Sequence, residues 1–311
     1  MQLGTAARSC ILQGGHGNVL AVVSQAIYLL TESGELFWIT TEGAPMHRRC
    51  VQIFVPLPGL SAGSQFRMRD QQLEFDTSVV LDLENAETWS APPMDPKHVI
   101  DLSGLYSRAQ FLFSHLDHSQ ARGFGVFIPQ ILSLSHGDTA DSLPEFTDPI
   151  RHFAQPFILN LARGCLQGRS VLIVQSAGSL IGLGSGLTPS GDDFLGGLSF
   201  TLAILQAAYP DLFQTGAILP IETYRSQTNL ISFTLLKDLA GGHAIAPLHS
   251  LVHGILTGEP LNNITPFVNQ LTCIGHSTGW DLLTGMLTGF LISAPGIQII
   301  PSMESHYIEK E

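Results

Sequence analysis

Charged side chains are scarce in this chain: of its 311 residues, 13% are Asp, Glu, Lys or Arg, whereas about 25% is typical of globular proteins. Lysine occurs only at positions 97, 237 and 310. A chain with so little polar surface is expected to bury a large interface against other subunits. Its net charge of −12 argues against binding to nucleic acid or to an anionic membrane surface, because both are negatively charged.

Cysteine is also rare, and its spacing excludes two common kinds of stabilising site. The four cysteines are Cys10, Cys50, Cys165 and Cys273, with no Cys-x-x-Cys pair. We therefore expect neither a disulfide framework nor a zinc site. The absence of a disulfide pattern fits a reducing environment, so we expect a cytoplasmic location. No signal peptide is expected, because the N-terminus lacks a basic segment followed by an uninterrupted apolar core.

Uninterrupted apolar runs of membrane-spanning length are absent as well. The longest uncharged run, residues 282–303, is broken by Pro295-Gly296. Its helical part is then about 13 residues, where roughly 20 are needed to cross a bilayer. The run predicts a buried helix, and no membrane partner is expected.

The periodicity of the apolar residues changes near residue 90. The earlier part contains β-rich segments with a hairpin turn at Glu32–Glu35, and these segments are 19–30, 36–40, 51–55 and 79–83. Residues 90–96 contain three prolines and are the best linker candidate. We predict an α+β fold, with a β-rich subdomain at 1–90 and a mostly α-helical domain at 97–311.

The helical domain is predicted from apolar residues that recur about every four positions. The predicted helices cover 99–116, 150–166 with an interruption at Pro156, 220–240, 247–256, 265–273 and 278 to about 294, besides one that starts near 189. The helix that starts near 189 and the helix that starts at 278 each contain one copy of a sequence signature that occurs twice.

The first copy of the signature follows a glycine-rich loop. Glycines alternate at Gly182, Gly184 and Gly186, which allows a sharp turn and a close approach to a ligand. Thr188-Pro189 predicts a helix start with a hydroxyl cap and a proline in the first helical position. Free amide groups at such a helix start form a favourable site for an anion.

The second copy aligns residues 278–286 with residues 190–198. Both follow one pattern: hydroxyl, Gly, any residue, Asp, apolar, Leu, any residue, Gly, apolar. One interpretation is that the hydroxyl and the Asp form a capping box on each of two core helices. The other is that the two helix starts face each other and that Asp193 and Asp281 line one pocket. The glycine four residues after each Asp would allow the close backbone packing that this requires.

Other polar residues complete the set of candidates. Thr228 and Ser232 lie one helical turn apart, and their hydroxyls either bind a ligand or bond to the preceding turn. Lys237 and Arg225 are the nearby cations for a bound anion. His276 directly precedes the second pair of hydroxyl residues, which makes it a candidate for a chemical role beside Asp193 and Asp281.

These motifs resemble the AllH family, which is linked to a subunit of oxamate carbamoyltransferase. The resemblance rests on residues 184–193 and 275–285 and extends to 26–36 and to the helix of Thr228 and Ser232. Residues 85–170 contribute little to it. Two departures are modest: Ser185 replaces a common proline, and Trp280 is bulkier than the usual residue.

The resemblance implies a reaction in purine (allantoin) nitrogen catabolism. Carbamoyl-oxamate and phosphate would give oxamate and carbamoyl phosphate, and the partners would be an FdrA-like subunit and a third subunit. Asp193, Asp281 and His276 would be catalytic. The substrate-binding residues would be Gly184, Gly186, Thr188, Ser190, Gly191, Asp192, Thr228, Ser232, Lys237, Ser277, Thr278 and Gly279.

Two other functions stay open at this point. No cofactor is expected for carbamoyl transfer, but Asp193 and Asp281 could instead hold Mg²⁺ in a metal-assisted hydrolase or lyase. The chain could also be a non-catalytic scaffold in which the repeated motif only braces two helices. Two carboxylates beside a bound phosphate repel each other, so one of them must be protonated, hydrogen-bonded to an amide or bound to a metal.

Overall fold

The computed structural model describes residues 1–137, 146–212 and 219–294. These residues divide into two compact units. The first contains residues 1–92 together with 243–249, and the second contains the others. None of the helices in the described ranges is long and apolar enough to cross a membrane. The uncharged run at 282–303 lies partly outside these ranges, since it continues past residue 294.

The first unit is built on one curled sheet of nine strands, in the order β8-β7-β6-β2-β3-β4-β5-β1-β9. The strands are β1 (Gln2–Gly4), β2 (Gly15–Val22), β3 (Ala26–Thr31), β4 (Leu36–Thr41), β5 (Cys50–Ile53), β6 (Gln65–Arg69), β7 (Gln72–Phe75), β8 (Val80–Asp82) and β9 (Glu87–Trp89). Neighbouring strands pair antiparallel except β4 with β5 and β1 with β9, which are parallel.

Two features of this unit differ from the prediction. The β-rich segment predicted over 19–30 forms parts of two strands, β2 and β3, because the chain reverses at 23–25. A helix, α1 (Thr5–Gln13), also lies in this β-rich part, and its Ala7, Cys10 and Ile11 join the buried core. The hairpin of β3 and β4 around Glu32–Glu35 is confirmed.

The second unit is helical, which confirms the predicted α+β class. Its helices are α2 (Leu102–Ser114), α3 (Ile128–Ser135), α4 (Pro149–Gln167), α5 (Ser170–Leu180), α6 (Ser190–Ala208), α7 (Leu230–Ala240), α9 (Leu261–Thr272) and α10 (Thr278–Phe290), while α8 (Ala246–Leu256) starts in the other unit. Short 3₁₀ turns occur at Pro96–His98, His118–Gln120, Gly123–Phe127, Ile221–Tyr224 and Leu291–Ser293.

Several predicted helix boundaries shift. Helix α4 continues through Pro156, which is exposed on the helix surface, instead of being interrupted there. The helix predicted over 220–240 is a 3₁₀ turn followed by α7, because the Asn229 side chain caps α7 by accepting from the Ser232 amide at 3.0 Å. Helix α10 ends at Phe290, and a 3₁₀ turn follows it.

Helices α6 and α10 form the centre of the second unit and pack backbone to backbone. A Cβ added to Gly197 would lie 2.1 Å from the Leu282 carbonyl oxygen, and one added to Gly285 would lie 1.9 Å from that of Phe194. Further along both helices, Gly289 packs against Thr201. The helices therefore run in the same direction, and glycine at these positions permits their close approach.

Candidate functional site

The starts of α6 and α10 meet, as the repeated signature predicted. Thr188 Oγ1 lies 3.2 Å from Thr278 Oγ1, and Ser190 Oγ lies 3.4 Å from Ser277 Oγ. Since the helices are parallel, their N-termini lie side by side. Both ends carry the positive pole of a helix dipole and amide groups without an intrahelical partner.

The glycine that directly follows the leading hydroxyl has an equivalent role in each signature copy. A Cβ on Gly191 would lie 1.8 Å from the Leu180 carbonyl oxygen, and one on Gly279 would lie 1.7 Å from that of Leu271. Each glycine thus allows its helix start to touch the end of the preceding helix. Their amides donate to Leu183 and Ile274, respectively, so these two predicted ligand donors are already engaged within the chain.

The capping-box interpretation is wrong for both helices. Helix α6 starts at Ser190 with Pro189 in the N-cap position, one residue later than Thr188-Pro189 predicted, and no side chain caps it. Ser277 occupies the N-cap position of α10 and makes no side-chain cap either. The hydroxyl and the Asp of each copy are therefore available for contacts outside their own first turn.

The hydroxyls instead surround the two carboxyls, partly across the repeat. Thr188 and Thr278 interact with the carboxyl of Asp193 and act to lower its pKa. Ser190 and Ser277 do the same for Asp281. Ser190 and Thr278 occupy the same position of the signature, so the leading hydroxyl of each copy serves the Asp of the other. This exchange gives the hydroxyl at that position the same role in both copies.

Both carboxyls are buried, and each keeps one oxygen without a hydrogen bond. Asp193 is 7% exposed and Asp281 is fully buried. Within the described part of the chain, Oδ2 of neither residue has a hydrogen-bond partner. An ionised carboxylate in such a place loses its hydration without full replacement, which favours the protonated form.

The pKa values of the pair follow from this burial. Desolvation, and then the charge of Asp281, raise the pKa of Asp193 well above its ordinary value. Desolvation raises the pKa of Asp281 to about 6, although the Phe124 amide, the nearby hydroxyls and the charge of Arg151 oppose the rise. Burial therefore favours the protonated form of the pair to a higher pH than for an ordinary aspartate, and a carboxyl pair that holds a proton offers both a donor and an acceptor.

A third segment completes the site, and the sequence offered little indication of it. The Phe124 amide donates to Asp281 Oδ1 at 2.6 Å across a separation of 157 residues. Gly123 lies against the same carboxyl, since a Cβ there would be 2.2 Å from Oδ1 and 2.6 Å from Ser277 Cβ. The only sequence signal is a short Gly-Phe-Gly stretch in the region of 85–170 that carried no recognisable motif.

Two arginines lie next to the contact segment or act on the pair through their charge. Arg122 is exposed and directly precedes Gly123. Arg151 lies in the first turn of α4, and its charge acts on Asp281. The prediction had instead named Lys237 and Arg225. The structure pairs Lys237 Nζ with Glu222 Oε1 at 2.8 Å and places both cations over the Phe233 ring.

Asp192, next to Asp193 in the chain, belongs to a different cluster. Its Oδ1 accepts from the Gly182 amide at 2.6 Å, and its Oδ2 accepts from the hydroxyls of Thr228 and Ser232. In the structure these two hydroxyls donate to Asp192 and not to the preceding turn. Their predicted role in binding a ligand stays a prediction. Asp192 is 2% exposed, so this cluster joins the glycine loop to α7 inside the protein.

A cavity of about 310 Å³ opens beside the Asp192 cluster, and its lining consists of Gly182, Pro189, Ser226, Gln227, Thr228 and Asn229. Asp193 and Asp281 do not belong to this lining, so the cavity is not the pocket predicted between them. Among the other candidates, Gly184 and Gly186 lie in the loop with positive φ, and His276 is exposed before α10.

The comparison with known families matches the same part of the chain. Residues 180–290 match the family model described as oxamate carbamoyltransferase subunit AllH. The resemblance to the AllH family is confirmed over these residues, which contain both signature copies and both carboxyls. No solved structure gives a significant match.

The matched range excludes the 122–125 segment that contacts Asp281. The family name indicates a subunit of a carbamoyltransferase, hence a multi-subunit enzyme with small-molecule substrates. Across the described ranges, His, Cys, Asp and Glu side chains form no group of three or more that could hold a metal ion. A metal here would depend on the two carboxyls and the hydroxyls around them.

Proposed function

We propose that this chain carries the carbamoyl-transfer site of an oxamate carbamoyltransferase, with the Asp193–Asp281 pair at its centre. In this reaction carbamoyl-oxamate and phosphate give oxamate and carbamoyl phosphate. The proposal depends on one observation. Two buried carboxyls lie together at two parallel helix N-termini, and Oδ2 of each has no hydrogen-bond partner among the described residues. The family match over residues 180–290 supports it.

The carboxyl pair fits the proton transfers of this reaction. Phosphate attacks the carbamoyl carbon, which gives a tetrahedral intermediate with a negatively charged oxygen. The C–N bond to the oxamate nitrogen then breaks, and that nitrogen needs a proton. The protonated carboxyl of the pair would donate this proton, while the ionised one would accept a hydrogen bond from the carbamoyl NH₂ group.

Backbone amide groups at the helix starts are suited to stabilise the negative charge of the intermediate by donating hydrogen bonds to it. No carbonyl or side chain in the described ranges accepts a hydrogen bond from the amides of Ser190 and Thr278. These are the first residues of α6 and α10, where the helix dipoles favour an anion. We propose that they, with the loop at Gly184–Gly186, hold phosphate or the developing oxyanion.

The proposed partners are an FdrA-like subunit and a third subunit, and the proposed location is the cytoplasm. The low proportion of charged residues, 13%, supports a chain that buries much of its surface in an assembly. We propose that the complete reaction requires these partners.

The test is carbamoyl-oxamate phosphorolysis by the reconstituted complex. Asp193→Asn and Asp281→Asn should each lower kcat by roughly 10²–10⁴, the usual contribution of a general acid or base. Asp211→Asn is a matched control, because Asp211 is an exposed acid at the end of the α6 region, and it should retain parental activity. The complex must still assemble with each variant.

Two other outcomes would select the alternatives. Activity that is lost to a chelator and restored by Mg²⁺ would indicate a metal-assisted hydrolase or lyase, with the unbonded Oδ2 atoms as ligands. Full activity of both Asn variants in an intact complex would indicate a scaffold, in which the pair only packs two helices.

A further inference from the structure

Arg122 lies next to the residue that touches the carboxyl pair. Gly123 packs on Asp281 Oδ1 and Ser277 Cβ, and consecutive Cα atoms are about 3.8 Å apart. The backbone of Arg122 is therefore anchored close to the start of α10. The Gly125 amide, which donates to the Arg122 carbonyl at 2.8 Å, holds this turn in place.

The Arg122 side chain is not engaged elsewhere in the described structure. It is exposed, and none of the ion pairs or hydrogen bonds among the described residues involves its guanidinium. By contrast, Arg49 pairs with Glu35 and Lys237 pairs with Glu222. An arginine whose backbone is anchored at the start of α10, and whose guanidinium has no counter-ion among the described residues, is suited to bind an anionic ligand.

The groups around it define what such a ligand must present. The unbonded Oδ2 atoms of Asp193 and Asp281 are buried at the same helix starts. A carboxyl pair that shares a proton can accept from an NH₂ group and donate to a carbonyl oxygen. The guanidinium can hold a carboxylate with two parallel hydrogen bonds.

We propose that Arg122 binds the carboxylate of a small amide-carboxylate ligand whose amide end contacts the Asp193–Asp281 pair. The inference rests on the proposed function for the choice of ligand, since oxamate is the smallest molecule of this class in the reaction. Arg122 is thereby a substrate-binding residue that the repeated signature does not contain.

The experiment measures binding of oxamate and of oxamide to the full chain by calorimetry. Oxamide has an amide in place of the carboxylate, so it tests the amide end alone. Arg122→Gln should weaken oxamate binding roughly tenfold or more and leave oxamide binding unchanged. Arg122→Lys should recover part of the oxamate affinity, because it keeps the charge but not the two parallel hydrogen bonds.

Arg169→Gln is the matched control, because Arg169 is an exposed arginine that precedes α5. It should bind both ligands like the parent chain. Equal weakening of oxamate and oxamide by Arg122→Gln would show a merely structural effect and overturn the proposal. So would parental oxamate affinity in that variant, or a parent chain that binds no oxamate.

The result separates this inference from the proposed function. If Arg122→Gln selectively loses oxamate while Asp193→Asn keeps full carbamoyl transfer, the anion site stands and the catalytic proposal fails. If the Asp variants lose activity while Arg122→Gln binds oxamate normally, the catalytic proposal stands and the assignment of Arg122 fails.

Discussion

Thr188 Oγ1 and Thr278 Oγ1 lie 3.2 Å apart although 90 residues separate them in the chain. Their contact joins the loop before α6 to the first residue of α10. Together with the exchange of Ser190 and Thr278 between the carboxyls, it shows that the two signature copies contact each other at the helix starts. Such an arrangement brings two equivalent carboxyls into one place, where the charge of Asp281 raises the pKa of Asp193.

The glycine that follows each Asp by four residues sets the distance between α6 and α10. Gly285→Ala should destabilise the fold by about 1–3 kcal/mol or more, because the new Cβ would meet the Phe194 carbonyl oxygen at 1.9 Å. Urea unfolding measures the change.

Gly178→Ala is the control for that substitution. Gly178 also lies within a helix, α5, but a Cβ there meets no atom of the described residues within 4 Å. Alanine should stabilise this position by about 0.5–1 kcal/mol through helix propensity. If both variants changed stability alike, close backbone packing would not be the reason for glycine at position 285.

Protonation of the carboxyl pair should be visible in the pH dependence of stability. A carboxyl whose pKa is higher in the folded than in the unfolded state binds more protons when folded, so its contribution falls as pH rises. For Asp281 the fall should extend from about pH 4 to about pH 6, because its pKa rises from 3.8 to about 6. Arg151 opposes this shift; Asp192 raises the pKa of Asp193 further.

Asp281→Asn tests that linkage. The neutral amide has no cost of ionisation, so the variant should be more stable than the parent above pH 7 by about 1–3 kcal/mol. The difference should shrink toward pH 4, where the parent carboxyl is protonated as well. Thermal unfolding across this range measures it. A difference that is independent of pH would contradict a raised pKa at Asp281.

The Asp192 cluster should behave as a structural unit. Asp192→Ala leaves the Gly182 amide and the hydroxyls of Thr228 and Ser232 without their acceptor. Each unsatisfied buried group costs about 1–3 kcal/mol, so the variant should be strongly destabilised.

A double-mutant cycle of Asp192→Ala with Ser232→Ala should give a coupling free energy of about 0.5–3 kcal/mol. Additive effects would show that the two side chains do not interact.

The sequence predicted the pairing of the carboxyls because a repeated local pattern carries information about both copies at once. Equivalent glycines after Asp193 and Asp281 indicated two helices in close contact, and the structure has that contact. The predicted capping box was wrong for a physical reason: the hydroxyl at Ser190 faces the other copy. Local spacing cannot distinguish an own-turn partner from one that tertiary packing supplies.

Contacts between distant, dissimilar segments could not be predicted in this way. Phe124 reaches Asp281 through its backbone amide, which every residue other than proline possesses, so no residue type marks the contact. Thr228 and Ser232 bond to Asp192 because of how α7 packs on α6. Their helical spacing alone is equally compatible with a ligand or with the preceding turn.

Gly123 offers the most direct test that the 122–125 segment belongs to the site. Gly123→Ala would push a Cβ to within 2.2 Å of Asp281 Oδ1 and so displace that carboxyl from the Phe124 amide. Gly137→Ala is matched for backbone strain, because both glycines have positive φ, but its Cβ would meet no atom within 4 Å in the part of the chain that the structure describes. Strain alone should destabilise both variants by a similar amount, and the clash with Asp281 should destabilise Gly123→Ala further.

Only Gly123→Ala should also lose oxamate binding and carbamoyl transfer, measured by calorimetry and by phosphorolysis. Equal activity in the two variants would mean that the contact with Asp281 has no part in the function of the pair.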